Sequence, residues 1–177
     1  MFEFHDIFLR PIEKRDLEFL RQLHNDTTTL ANLTDHSMVN EIQQEHWFKQ
    51  MCQSKSSMRL AVLDEQKQII GCIRLDNYDP RNRSIQVGGD IDITKRGKGY
   101  GSKMFSACLE YAFRILNCRR IYLSVLENNT VARNMYTKHG FKEEGRLTQA
   151  IYRDYGYIDY INMYLIRNEH ELENEND

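Results

Sequence analysis

The sequence predicts an α/β fold: one mixed sheet of about seven strands with flanking helices. Three observations carry that prediction. Two β-rich apolar segments, Ile85 to Ile93 and Arg120 to Leu126, bracket a long helical run, so they should lie parallel through a right-handed crossover. Met58–Leu63 and Ile69–Leu75 flank the polar turn Asp64–Gln68 and read as a hairpin. The chain then closes on two more strand-like segments, Phe141–Leu147 and Tyr157–Ile166.

In chain order, Phe8-Leu9-Arg10-Pro11 reads as a short strand ended by proline, which has no N–H to donate to a ladder. Residues 13–24 form a helix with Leu17, Phe19, Leu20 and Leu23 inward, and Thr27 to Asn40 is a loop or broken helix. A second helix, Glu41 to Cys52, turns Trp47, Phe48, Met51 and Cys52 to one side. Asn77 to Arg83, with Pro80, is a turn. The helix after Gly101 places Met104, Phe105, Cys108, Leu109, Ala112, Ile115 and Leu116 on one face. Asn128 or Asn129 caps a further helix with Val131, Ala132, Met135, Tyr136 and His139 inward, and Gly140 stands where a left-handed stop belongs. Gln149 to Gly156 reads as an aromatic loop. In the last strand Tyr157, Ile161, Met163 and Leu165 share a face. Residues 1–167 form a single domain, and 168–177 are an acidic tail expected to be disordered.

The 177 residues, 41% hydrophobic and 28% charged, suit a globular protein with a substantial core. A net charge of −2 argues against nucleic acid as a partner. Cys52, Cys72, Cys108 and Cys118 form no C-x-x-C pair, and three lie in apolar or periodic runs, which suits free thiols in a reducing compartment. With no signal-peptide pattern and no run near the ~18 apolar residues of a membrane span, a cytoplasmic location is expected.

The chemistry centres on Arg96-Gly97-Lys98-Gly99-Tyr100-Gly101, between strand and helix. Unpaired N–H groups at a helix N-terminus favour an anion, and the glycines let a diphosphate approach the backbone. A Walker loop is excluded because Ser102-Lys103 follows Gly101. A Rossmann fingerprint is excluded because Gly97-x-Gly99-x-Gly101 has the wrong spacing and Arg119-Arg120 occupies the region of the required acid.

Arg96-x-x-Gly99-x-Gly101 resembles the coenzyme A pyrophosphate loop of the GCN5-related N-acetyltransferase (GNAT) family. A second signature, Asn129-x-x-Ala132-x-x-x-Tyr136-x-x-His139-Gly140-Phe141, is similar to that family's next helix. Glu144-Gly145-Arg146-Leu147 and Gly156-Tyr157-x-Asp159-x-x-x-Met163 resemble the RimJ/RimL and spermidine-acetyltransferase branch. The resemblance spans roughly residues 7 to 167 and implies a GNAT fold, with acetyl-CoA as co-substrate. Backbone at Ile91, Asp92 and Ile93 would meet the pantetheine arm. Arg96, Gly97, Lys98, Gly99, Tyr100, Gly101 and Ser102 would surround the pyrophosphate, and Asn129 would contact the cofactor. Tyr136 would face the thioester sulfur as the catalytic residue. With reference pKa values of about 10 for tyrosine and 8.5 for a thiol, full proton transfer is uphill by roughly 2 kcal/mol. Tyr136 is thus as much a hydrogen-bond donor as an acid.

Many relatives carry glutamate where this chain has Gln86, which cannot accept a proton. Asp90 and Asp92 share that strand face, but Asp90 lies about 13 Å further along an ideal strand. An alkyl amine costs roughly 4–5 kcal/mol to neutralise at pH 7, against about 1 for an amine of pKa near 8. That contrast leans toward an amino sugar, nucleotide-linked where Asn25, Glu45, His46 and Trp47-Phe48 resemble such enzymes, with Gln86 and Tyr152 as further substrate contacts. Tyr152, Tyr155 and Tyr157 offer a stacking wall or an interface. The alternatives are a polyamine, held by carboxylates around Asp35, Glu41 and Glu45, or a protein N-terminus. From another class comes a catalytically silent module that binds coenzyme A. His46 has no partner at metal-ligand spacing, so no metal is expected. The tyrosine-rich last strand is compatible with a homodimer or larger homo-oligomer.

Overall fold

The computed structural model describes residues 1–153 and 156–167; the expected tail and Tyr155 lie outside them. The strands are β1 (Phe2–Phe4), β2 (Ile7–Pro11), β3 (Met58–Leu63), β4 (Ile69–Asp79), β5 (Ser84–Ile91), β6 (Arg120–Leu126), β7 (Lys142–Arg153) and β8 (Gly156–Ile166). The helices are α1 (Leu17–Asn25), α2 (Thr27–Leu30), α3 (Glu41–Gln53), α4 (Tyr100–Glu110) and α5 (Thr130–Lys138). The strands form one sheet in the order β1-β2-β3-β4-β5-β6-β8-β7. Among the described residues, only β5 and β6 pair in parallel, as the crossover through α4 requires.

Alternation divides the core. Leu60, Val62, Ile73, Leu75, Ile85, Val87, Ile121, Leu123, Ile161 and Met163 face α4 and α5. Ala61 and Cys72 point the other way, against Leu17 and Leu20 of α1 and the rings of Trp47 and Phe48 on α3. Arg10 pins the start of α1 by two hydrogen bonds to buried Asp16, at 2.6 and 2.8 Å.

Several expectations are revised. The sheet has eight strands, because Phe2–Phe4 pairs with β2 as a hairpin. β4 runs on to Asp79, so the turn before β5 is shorter than expected. The expected aromatic loop from Gln149 is instead strand as far as Arg153. A register shift between Leu147 and Ile151, with Gln149 at φ 51°, breaks the alternation that would have revealed it. α4 passes into a wider π turn at Tyr111–Ile115 before β6. Cys52, Val131 and Tyr157, all assigned inward faces, are exposed. The other three cysteines are buried. No helix among the described residues is long and apolar enough to cross a membrane.

Asp64 is 1% exposed at the β3–β4 turn. Its carboxylate accepts from Lys95 Nζ at 2.8 Å and from the N–H groups of Gln66 and Gln68. Burial alone would raise this carboxyl, but those bonds outweigh it and hold it below the ordinary value. A depressed folded-state pKa contributes stability above the unfolded value of about 4 and loses it as pH falls through the folded one. Asp64→Asn should therefore cost about 1–3 kcal/mol at pH 7. Its melting temperature should converge on that of the wild type below about pH 4; a gap that is independent of pH would refute the ionic role.

Candidate active site

The site begins where two strands part. β5 and β6 pair only at Ser84–Arg120, Ile85–Ile121 and Gln86–Tyr122. Beyond Gln86, β5 stays with β4 and β6 stays with β8, which opens a wedge between them. The Asp92 N–H donates to Ile70 O at 2.8 Å, which makes Gly71–Ile91 a non-hydrogen-bonded pair. By alternation, the N–H and C=O groups of Val87 and Gly89 and the N–H of Ile91 then face the wedge, while Ile91 O accepts from Arg96 Nε. An extended ligand could take them up as an added strand.

The glycine turn follows. Gly97 and Gly99 have φ of +70° and +84°, and a Cβ on either would meet nothing within 4 Å. Conformation requires glycine at both, and the space before them is open. Gly99 caps α4 without any side-chain bond, so the helix presents its first N–H groups free. An anionic diphosphate fits this uncapped, open end. Lys98 and Ser102 are exposed beside it. Tyr100 points back, its hydroxyl donating to the Glu65 carboxylate at 3.0 and 3.1 Å.

The side chain of Arg96 is turned away from the open end. Its Nε donates to Ile91 O at 3.1 Å, and its terminal nitrogens donate to the hydroxyls of Thr28 and Thr29 on α2. Arg96 thus ties the turn to α2, where Asp26 lies within 3.8 Å. Asp92 and Ile93 also differ from expectation, because β5 ends at Ile91 and a 3₁₀ turn begins at Ile93. The Asp92 carboxylate caps that turn through Thr94 N, and its carbonyl accepts from Lys95 N. Neither its backbone nor its carboxylate is open to the wedge. Of the three, Ile91 is the one aligned with it.

α5 closes the wedge from the α4 side. Asn129 caps it by accepting from Ala132 N at 3.2 Å, which leaves the amide nitrogen unused by the cap. Gly140, at φ +87°, stops it. The Tyr136 ring packs at 4.9 Å from Phe105 and 6.0 Å from Phe141. Burial pushes its phenol up to about 12, partly offset by the charge of Arg74. The hydroxyl therefore keeps its proton throughout the physiological range.

On the opposite face, the β4–β5 register sets Asp76 across from Gln86, Arg74 across from Gly88 and Cys72 across from Asp90. Gln86 accepts from the Asn77 side chain at 2.8 Å. Asp76 pairs with Arg59 at 2.8 Å, and Asp90 pairs with Arg74. Sequence reasoning missed Arg74; its position two residues from Cys72 on a strand was the available signal. Asn25 clamps a loop: its amide donates to Val39 O at 2.8 Å and accepts from Val39 N at 2.9 Å. Glu45 and His46 lie on the exposed face of α3, with Glu45 reaching Lys14 at 3.5 Å. Tyr152 stacks edge-on against Tyr157 at 5.2 Å, both exposed. Arg153 donates to Leu33 O and so brings the end of β7 against the loop after α2.

Comparison with known proteins gives these features a family. Residues 6–142 match the acetyltransferase (GNAT) domain model. Spermidine N(1)-acetyltransferase of Vibrio cholerae is 28% identical over 162 residues, covering 92% of this chain and 94% of the relative. The Escherichia coli K12 enzyme of that name is 24% identical over 172 residues, covering 97% and 91%. The crystal structure of the Vibrio cholerae spermidine N-acetyltransferase, in complex with CoA and spermine, superposes with a TM-score of 0.86 at 28% identity, covering 91% of this chain and 95% of that one. The preference for an amino sugar is overturned by these relatives, which are polyamine acetyltransferases by name. The physical reason is visible too: Trp47 and Phe48 pack against the core, and Asn25 holds a loop. An open wedge beside an uncapped glycine turn, together with the domain match, establishes that the chain belongs to the GNAT family and is an acetyl-CoA-dependent N-acetyltransferase.

Proposed function

We propose that this chain acetylates a primary amine of a polyamine, spermidine or spermine, by direct transfer from acetyl-CoA. The observation that carries the reading is the likeness to spermidine acetyltransferases over nearly the whole length of both chains. The backbone of Val87, Gly89 and Ile91 lines the path of the pantetheine arm, and the N–H groups of residues 97–101 receive the pyrophosphate. Lys98 and Ser102 flank it, and the Asn129 amide meets the arm from α5. Tyr136 donates a hydrogen bond to the sulfur as the thiolate leaves. The amine enters from the face that carries Arg74 and Gln86, below the loop after α2.

A polyamine carries further ammonium groups that need anionic contacts away from the reacting nitrogen. Asp35 is exposed in the middle of that loop and Glu41 at its end, where α3 begins. The backbone hydrogen bond from Ser37 holds the Asp35 carboxyl below its ordinary value, so it is ionised at neutral pH. Residues 1–167 act as one catalytic domain in the cytoplasm, and exposed Leu147, Tyr152 and Tyr157 suit packing of a second copy.

The test is acetyl-CoA-dependent thiol release over spermidine, spermine, amino sugars, aminoglycosides and peptides with free N-termini. Spermidine or spermine should give kcat/KM about tenfold or more above every other acceptor, a difference of about 1.4 kcal/mol in transition-state binding. A sugar or peptide that outranks both would reject the polyamine. Measurable acetyl-CoA binding with no release would reject catalysis.

A further inference from the structure

A polyamine nitrogen arrives as an ammonium ion, and an ammonium has no lone pair with which to attack a thioester. Gln86 offers no carboxylate to take its proton. Asp76 stands opposite Gln86 but is paired with Arg59, and two positions further along, opposite Gly88, the fold sets a cation, Arg74. Its guanidinium lies across the backbone of Gly88, two residues past the point where β6 leaves. A Cβ on Gly88 would stand 3.1 Å from one terminal nitrogen and 3.2 Å from Nε, so glycine is what lets the group lie there. Asp90, on the same face of β5, grips it from one side. The Arg74 side chain keeps a third of its surface open.

We infer that Arg74, clamped over Gly88 by Asp90, is a positioning charge that admits the acceptor nitrogen to the wedge as a neutral amine. The inference rests on the wedge being the site of transfer. A fixed positive charge disfavours a second one nearby and so lowers the pKa of the bound amine, typically by about 1–3 units. The charge of Arg74 is felt beyond β4: it opposes the burial that raises the phenols of Tyr136 and Tyr160. The other charged or titratable groups about Arg74 are Cys72 and Asp76 on β4, Arg59 on β3, Tyr136 on α5 and Tyr160 on β8. Cys72 and Tyr136 are both pushed up to about 12 by burial, so neither changes charge between pH 6 and 9.

The proton balance is simple. The ammonium loses one proton to water on entering, and the freed lone pair attacks the thioester carbon. The C–S bond breaks with its electron pair going to sulfur. The adduct nitrogen gives up a second proton, and the sulfur leaves as thiol, for a net release of one proton per turnover. Arg74 carries none of these protons; it sets the pH at which the first one leaves.

The acidic limb of kcat against pH, measured with saturating spermidine, reads that pH. Arg74→Gln should raise its midpoint by about one unit, giving about tenfold lower kcat at pH 7 and little difference above the limb. Arg74→Lys keeps the charge and should hold the midpoint near the wild-type value, whatever its absolute rate. An unmoved midpoint in Arg74→Gln, or a loss equal at every pH, would overturn the inference, because a structural role alone gives that pattern. If both variants move the midpoint alike, charge is not the cause and the inference also fails. Absence of turnover in the wild-type enzyme with any amine would instead sink the proposed function, so the two failures are distinct.

Discussion

Tyr136→Phe should lower kcat by about 30- to 100-fold, the equivalent of about 2–3 kcal/mol of transition-state stabilisation, with the KM for acetyl-CoA changed less than about threefold. The asymmetry follows from the two parts of the side chain. The ring is one of a packed set with Phe105 and Phe141, and phenylalanine preserves that packing. The hydroxyl is the part that meets the leaving sulfur in the proposed mechanism. With its pKa pushed up to about 12 by burial, it remains a donor at every working pH. Against a thiol near 8.5, complete proton transfer would be uphill by about 5 kcal/mol, so the hydroxyl acts chiefly through its hydrogen bond. Ionisation of Tyr136 should accordingly give no basic limb below about pH 10. Steady-state thiol release for the two proteins across pH 6–10 checks both statements. Equal kcat values would remove Tyr136 from the reaction, and a new basic limb near pH 8 would contradict its elevated pKa.

What could be read from sequence divides along local and long-range lines. The glycine turn and the α5 signature are local: positive φ at Gly97, Gly99 and Gly140, the Asn129 cap and the inward Tyr136 each follow from residue type at a fixed offset. β6 was legible to the residue because it is central and apolar. The details that decide acceptor chemistry depend instead on register. Arg74 meets Asp90 and overlies Gly88 only because β4 and β5 pair with Gly71 opposite Ile91, and no local pattern fixes that offset. Asn25 and Val39 are joined across a loop with no periodicity of its own. Trp47 and Phe48 illustrate the opposite error: with Glu45 and His46 they resembled the segment of an amino-sugar enzyme, whereas packing turns the rings to the core and the charges to solvent. Gln86 posed the question, but what surrounds it depends on register: β4 sets Asp76 opposite it and Arg74 opposite Gly88, 10 and 12 positions away from Gln86 in the chain.

The β4–β5 register leads to the second large effect, at Gly71. A Cβ there would lie 2.5 Å from the Asp90 carbonyl oxygen and 3.3 Å from Ile91 Cα, with the Met104 sulfur at 3.4 Å. The first distance is shorter than Cβ atoms tolerate, and its partner is backbone, which cannot swing aside as a flexible side chain can. Any side chain at this position must therefore push the end of β5 away from β4. Gly71→Val should cost about 3 kcal/mol through overpacking. For a chain of this size that corresponds to a fall of about 6–12 °C in melting temperature. The displacement would also carry Ile91 and the anchor point of Arg96 with it, since Arg96 Nε bonds Ile91 O. The edge of the wedge and the glycine turn would shift together, and the KM for acetyl-CoA should rise about tenfold, while Gly71→Ala should fall between valine and wild type in both measurements. Paired thermal melts and acetyl-CoA titrations decide the matter. A Gly71→Val protein that melts within about 2 °C of wild type would show that β5 yields without cost. A clear loss of stability with unchanged KM would separate the packing of β5 from the geometry of the cofactor site, which this structure joins through Ile91 and Arg96.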